Sequence, residues 1–133
     1  MDIAHYQKEF LAYLESKNWI YEPKNLYEPI DYILKLGGKR IRPVLTLMIS
    51  DIFSRDFKKA LPAALAVEVF HNFTLVHDDI MDAAPLRRGK ATVHEKWDTN
   101  TGILSGDAML ILAYQYFENC LLYTSDAADD PAS

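Results

Sequence analysis

Residues 77–82 read His-Asp-Asp-Ile-Met-Asp. Asp78 and Asp82 are four apart, so on a helix both carboxylates project from one face. Like charges at that spacing destabilise a helix, and here they fall near a helix C-terminus, where the macrodipole also disfavours negative charge. Two unfavourable terms at one place call for a compensating cation. Few hard oxygen ligands suit Mg²⁺, which keeps waters and shares its shell with substrate phosphates. Taken alone, the motif is equally a solvated acidic helix end.

Two basic clusters flank it. Residues 37–43 read Gly-Gly-Lys-Arg-Ile-Arg-Pro, with glycines just before a helix start, where exposed backbone N–H groups favour an anion. Lys39 and Arg42 are three apart and can face the same way. A guanidinium matches phosphate in a bidentate fork. The second cluster, Arg87-Arg88-Gly89-Lys90, follows the aspartates directly. Each cluster alone reads as a solvated loop. Together they suit two diphosphates: one on Mg²⁺ at Asp78 and Asp82 with Arg87 beside it, one metal-free on Lys39, Arg42 and Arg88. His71 lies seven residues before Asp78, two turns back, and can donate to the second diphosphate or be a core histidine. His77 supports the site from the side. His5 and His94 are expected at the surface, and the four histidines lack a zinc spacing.

The elements that must position these residues are helices. Apolar spacing predicts a helix over residues 2–17 with Asp2 as N-cap, a connector over 19–29, and a short helix from 29 or 30 to Leu36, stopped by Gly37. Further helices are predicted from Arg42-Pro43 to Ile52, over residues 58–83, from Thr92 or Val93, and from Thr101 onward. Residues 85–90 are expected as a polar loop. No window alternates with period two, and the chain reads as an all-α assembly.

Composition bounds the rest. The 133 residues, 50% hydrophobic and 25% charged, make one globular domain. Net charge −5 argues against a nucleic-acid partner. One cysteine excludes an internal disulfide. No signal segment and no membrane span are seen, so the default compartment is cytoplasmic. The end, Cys-Leu-Leu-Tyr-Thr-Ser-Asp-Ala-Ala-Asp-Asp-Pro-Ala-Ser, loses helical pattern after Asn119. It matches a transposase-type sequencing adaptor read in frame, so residues 120–133 are expected to be a non-native tail and residues 1–119 the domain portion. Without Asp126, Asp129 and Asp130 the balance is 14 basic against 16 acidic residues, or −2.

Residues 37–43, then Leu-Val-His-Asp-Asp-Ile-Met-Asp at 75–82, then Arg-Arg-Gly-Lys-Ala-Thr-Val-His at 87–94, closely resemble the trans-isoprenyl diphosphate synthases, or polyprenyl synthetases. Residues 103–110, Ile-Leu-Ser-Gly-Asp-Ala-Met-Leu, are similar to the helix that follows in that family. The resemblance covers about residues 1–119, the N-terminal third of such an enzyme. It implies an all-α bundle around a central cavity, a homodimer at full length, and Mg²⁺-dependent condensation of isopentenyl diphosphate with an allylic diphosphate. By resemblance, Asp78 and Asp82 hold Mg²⁺ with Asp79 supporting, and Arg87 binds the allylic diphosphate. Lys39, Arg42, His71 and Arg88 bind isopentenyl diphosphate. Phe73, Thr74 and Phe70 floor the product cavity, and the bulk of Phe73 suggests a farnesyl or geranylgeranyl product.

The family's second aspartate-rich motif does not occur in these 133 residues, so this polypeptide alone is expected to be inactive. A class I terpene cyclase would share the aspartates and Mg²⁺ but would not need residues 37–43. A non-catalytic diphosphate-binding or regulatory subunit, or a bare structural bundle, stays open on the residues alone. Exposed apolar surface is expected under each.

Overall fold

The computed structural model describes residues 2–19, 21–54 and 56–129, with side chains described through Glu118. Among the described residues the fold is all-α apart from one two-stranded hairpin. Helix α1 (Ile3–Glu15) is capped by Asp2, whose Oδ1 accepts the His5 N–H at 3.0 Å. It buries Tyr6, Phe10 and Leu14, one residue per turn. Helix α2 (Lys24–Lys35) starts earlier than expected and contains Pro29, so half of the expected connector is helical. Pro29 forfeits one backbone hydrogen bond. Burial of Pro29, Ile30, Ile33 and Leu34 on one face outweighs that loss.

Gly37 (φ 93°) and Gly38 (φ 131°) end α2 in the left-handed region, and Arg40 (φ 54°) continues it without being a glycine. Helix α3 (Ile41–Ser54) carries Pro43 as its third residue, where the N–H has no intrahelical partner anyway. A 3₁₀ turn (Phe57–Ala60) leads into α4 (Leu61–Met81). The single helix expected over 58–83 is thus divided, because Pro62 is accommodated only in the first turn of α4.

Helix α4 is the central element. It packs along α6 and also touches α1, α2, α3 and α5. Its inward face is Leu65, Val69 and Val76 with three polar residues, Glu68, Asn72 and Asp79. Strands β1 (Leu86–Arg87) and β2 (Lys90–Ala91) pair antiparallel across Arg88-Gly89, with Arg87 opposite Lys90. Both turn residues have positive φ, 51° and 77°, which suits the twist of a tight hairpin. The expected loop is therefore a hairpin, too short to show alternation. Thr92 precedes α5 (Val93–Lys96) and anchors the hairpin to the end of α4, its Oγ1 donating to the Ala84 carbonyl at 2.7 Å.

Helix α6 (Thr99–Asp129) begins two residues before the expected Thr101. Asp98 caps it by accepting the Thr101 N–H at 2.7 Å, which holds the Asp98 carboxyl below its usual pKa. The backbone stays helical past Asn119, where the sequence pattern weakens. The expected non-native tail falls on residues whose side chains lie outside the described ones. Close approach of α6 to α4 depends on Gly106, where a Cβ would stand 2.5 Å from His77 Nε2.

Apolar side chains also point outward, as expected. Ile52 is 74% and Phe53 85% exposed at the end of α3, and Leu104, Ile111 and Tyr114 are exposed on α6. Among the described residues no helix is long and apolar enough to cross a membrane.

Candidate anion and metal site

The left-handed run after α2 turns the chain so that residues 37–42 face α4 and the hairpin. Together they enclose a cavity of about 320 Å³ lined by residues 37–42, Glu68, His71, Asn72 and Arg88. Four residues singled out in the sequence, Lys39, Arg42, His71 and Arg88, thus meet in one pocket from three separate segments. Lys39, Arg42 and Arg88 are exposed on its rim and His71 is half-buried. The floor is buried and polar: Arg40 is 8%, Glu68 3% and Asn72 2% exposed.

Glycine at position 38 is required on two counts. Its φ of 131° strains an L side chain, and a Cβ there would lie 2.7 Å from Arg88 Nη2. The second basic cluster therefore rests directly on the first.

Arg42 Nη1 lies 3.3 Å from His71 Nε2. A guanidinium only donates, so Nε2 is the acceptor and the imidazole proton is on Nδ1. Burial, followed by the charge of Arg42, lowers the His71 pKa; Arg88 and Arg87 act the same way, against an opposing contribution from Glu68. Both effects favour the neutral imidazole, and its Nε2 is committed to orienting Arg42.

Beneath the rim, Arg40 Nη1 donates to Glu68 Oε2 at 3.2 Å and Nη2 to the Leu34 carbonyl at 2.6 Å. That carbonyl belongs to the last turn of α2, where acceptors lack helical partners. Asn72 Nδ2 donates to the Glu68 carbonyl at 2.8 Å and to Oε1 at 3.3 Å. Arg40, Glu68 and Asn72 were not among the expected site residues. The available signal was Glu68 and Asn72 interrupting the apolar ladder of α4 four residues apart.

At the end of α4, Asp78 and Asp82 are exposed and Asp79 is 5% exposed. Arg87 Nε and Nη2 each lie 2.8 Å from a different Asp79 oxygen, a bidentate pair. The hydrogen bond to Asp79 raises the Arg87 pKa, and the charge of Asp78 adds to it. Asp79 therefore faces the hairpin and holds Arg87 beside the other two aspartates. No group of three or more ligating side chains occurs among the described residues. Two exposed carboxylates one turn apart do fit an ion that takes its remaining ligands from water and phosphate.

The other expected residues are placed as follows. A second cavity of about 370 Å³ shares Arg42 and His71 with the first and is lined by Phe70, Thr74, Val67 and Phe117. Phe73 does not line it. Its ring packs 4.6 Å from His77 and 5.7 Å from Phe70. His77 Nε2 stands 3.9 Å from Asp107 Oδ1, beside Gly106 on α6. His5 is half-buried, edge-on to Phe57 and Tyr6. His94 is not a surface residue: its side chain is 9% exposed, and neither ring nitrogen has a hydrogen-bond partner among the described residues. The cause is α5 tucking against α6, where the His94 Cβ is 3.7 Å from the Cβ position of Gly102.

The family model described as polyprenyl synthetase matches residues 23–130. A geranylgeranyl pyrophosphate synthase of Geoglobus acetivorans is 47% identical over 106 residues, covering 80% of this chain and 32% of that protein. A farnesyl diphosphate synthase of Micrococcus luteus is 45% identical over 101 residues, covering 74% and 33%. A crystal structure of a geranylgeranyl pyrophosphate synthase superposes with TM-score 0.86 at 60% identity, covering 90% of this chain and 36% of that one. The Legionella pneumophila geranyltransferase structure superposes with TM-score 0.79 at 36% identity, covering 86% and 41%. The chain spans about a third of the length of these curated relatives. With a family model matched over most of its residues, the chain belongs to the polyprenyl synthetase family.

Proposed function

We propose that this chain supplies the substrate-binding half-site of a trans-prenyltransferase that condenses isopentenyl diphosphate with an allylic diphosphate. The observation that carries this reading is the single pocket formed by Lys39, Arg42, His71 and Arg88. Three cations around a cavity of this size suit a diphosphate held without metal. The adjoining cavity of Phe70, Thr74, Val67 and Phe117 suits an apolar tail, so a head and a tail of one substrate can sit side by side. That arrangement favours a prenyl diphosphate over a free phosphate ligand, and the presence of this basic pocket in addition to Asp78 and Asp82 disfavours a terpene cyclase, which needs one diphosphate site.

Asp78 and Asp82 would hold Mg²⁺, which on binding would withdraw charge from the allylic diphosphate as it leaves. Asp79 holds Arg87 so that its guanidinium meets the same leaving group. Loss of that diphosphate breaks the allylic C–O bond and leaves an allylic cation. The isopentenyl double bond forms the new C–C bond, and a proton is lost to the released diphosphate. Lys39, Arg42 and Arg88 keep the isopentenyl diphosphate in place throughout, and apolar walls exclude water. Phe70 and Thr74, which line the tail cavity, are proposed to set product length in the farnesyl to geranylgeranyl range. Phe73 is proposed to act on product length by fixing Phe70. A homodimer and a cytoplasmic location at full length belong to the same proposal.

Titration of residues 1–133 with isopentenyl diphosphate in EDTA tests it. Binding is expected, and Arg42→Ala or Arg88→Ala should each weaken it about tenfold or more. Binding that ignores both substitutions would defeat the assignment. With both substrates and Mg²⁺ the 133-residue polypeptide is expected to show no turnover, since it carries one aspartate-rich motif.

A further inference from the structure

The floor of the anion pocket contains a charge that this function does not use. Glu68 is 3% exposed and lines the cavity from below. An acid is the wrong sign for the wall of an anion site, where like charge costs affinity. Its oxygens are occupied by Arg40 Nη1 at 3.2 Å and Asn72 Nδ2 at 3.3 Å. Arg40 is itself a pocket residue, and its buried Nε has no hydrogen-bond partner among the described residues. The cavity is thus lined by four cations, Lys39, Arg40, Arg42 and Arg88, and one acid. The field of Glu68 reaches the ligand-facing side, where it opposes the effect of Arg42 and Arg88 on His71.

Resting on the reading of this pocket as a diphosphate site, we infer that Glu68 is an internal counter-ion of the site. It neutralises Arg40 while the pocket is empty. It also holds diphosphate affinity below what four uncompensated cations would give. After each condensation the diphosphate of isopentenyl diphosphate is carried on the product, which must leave this pocket before another isopentenyl diphosphate can bind, so a moderated affinity favours turnover.

The test compares inorganic pyrophosphate binding in EDTA by titration calorimetry for residues 1–133 and for Glu68→Gln. The amide retains an acceptor for Arg40, while Asn72 Nδ2 keeps its 2.8 Å bond to the backbone carbonyl of residue 68 and gives up only the 3.3 Å one. Glu68→Gln should bind pyrophosphate about tenfold tighter and melt at a lower temperature without ligand. A folded Glu68→Gln that binds equally or more weakly overturns the counter-ion role and leaves the diphosphate site standing. If the parent chain binds no pyrophosphate, the diphosphate site fails and this inference with it. Should Glu68→Gln not fold, the double variant Arg40→Met with Glu68→Met replaces the buried pair by apolar groups. Equal loss of both charges should leave affinity within about threefold of the parent. A loss of tenfold or more would mean that the pair positions the loop, and would overturn the proposal.

Discussion

Arg88 lies on Gly38, fifty positions away in sequence, so closely that a Cβ at Gly38 would stand 2.7 Å from the Arg88 Nη2. The contact joins the turn after α2 to the hairpin after α4. Gly38→Ala therefore meets both an unfavourable φ and a displaced guanidinium. It should weaken pyrophosphate binding about tenfold and lower the melting temperature modestly. Unchanged calorimetric affinity would show that Arg88 does not serve the pocket from this position.

His71 gives a pH signature. Its pKa is lowered by burial first and then by Arg42. The folded protein thus binds its proton less readily than the unfolded chain. The sign follows: this contribution to stability is complete above the ordinary histidine value of about 6.5 and is lost as pH falls through the lower folded value. An NMR titration should find His71 below 6.5 in the free protein. Saturating pyrophosphate should move it upward, because the anion offsets the rim cations. A free-state value at or above 6.5 would contradict the geometry.

The three aspartates should separate by role. Asp79→Asn leaves Arg87 with half its bidentate partner and should cost about 1–2 kcal/mol, a figure kept low because Arg87 is partly exposed. Asp78→Asn removes a charge from the C-terminal turn of α4 and should leave stability unchanged or slightly raised. Only magnesium-dependent diphosphate binding should be lost in it. Thermal melts with and without Mg²⁺ and pyrophosphate resolve the two, and equal destabilisation would refute the division.

Gly106→Ala tests helix approach. Alanine gains about 1 kcal/mol of helix propensity, but its Cβ would overlap the His77 ring. A buried overlap costs about 1–3 kcal/mol. The melting temperature should fall, and a rise would show that α6 can move away from α4 freely.

Legibility in the sequence followed the range of the physics. Helices α1, α3, α4 and α6 announced themselves through repeated three- and four-residue steps, and Asp2 and Gly37 marked ends by their own chemistry. Lys39, Arg42 and Arg88 stand beside glycine turns and His71 two helical turns before Asp78, but each cluster alone reads as a solvated loop, and only their combination and the family resemblance singled them out. The first half of α2 was hidden by Pro29, whose lost hydrogen bond is offset by burial that spacing alone does not reveal. The hairpin is two residues per strand, too brief for any period. Arg40 and Glu68 pair across 28 positions through a left-handed residue, and no local pattern encodes that. His94 is buried by tertiary packing against α6 and gave no sequence signal at all.

The most direct measurement is the stoichiometry of inorganic pyrophosphate on residues 1–133, by calorimetry first in EDTA and then with excess Mg²⁺. One metal-free site is expected, weakened by Arg42→Ala and untouched by Asp78→Asn with Asp82→Asn. A second site should appear with Mg²⁺ and vanish in the double aspartate variant. Binding that requires metal throughout, or that survives loss of Arg42 and both aspartates, would contradict the two-site account.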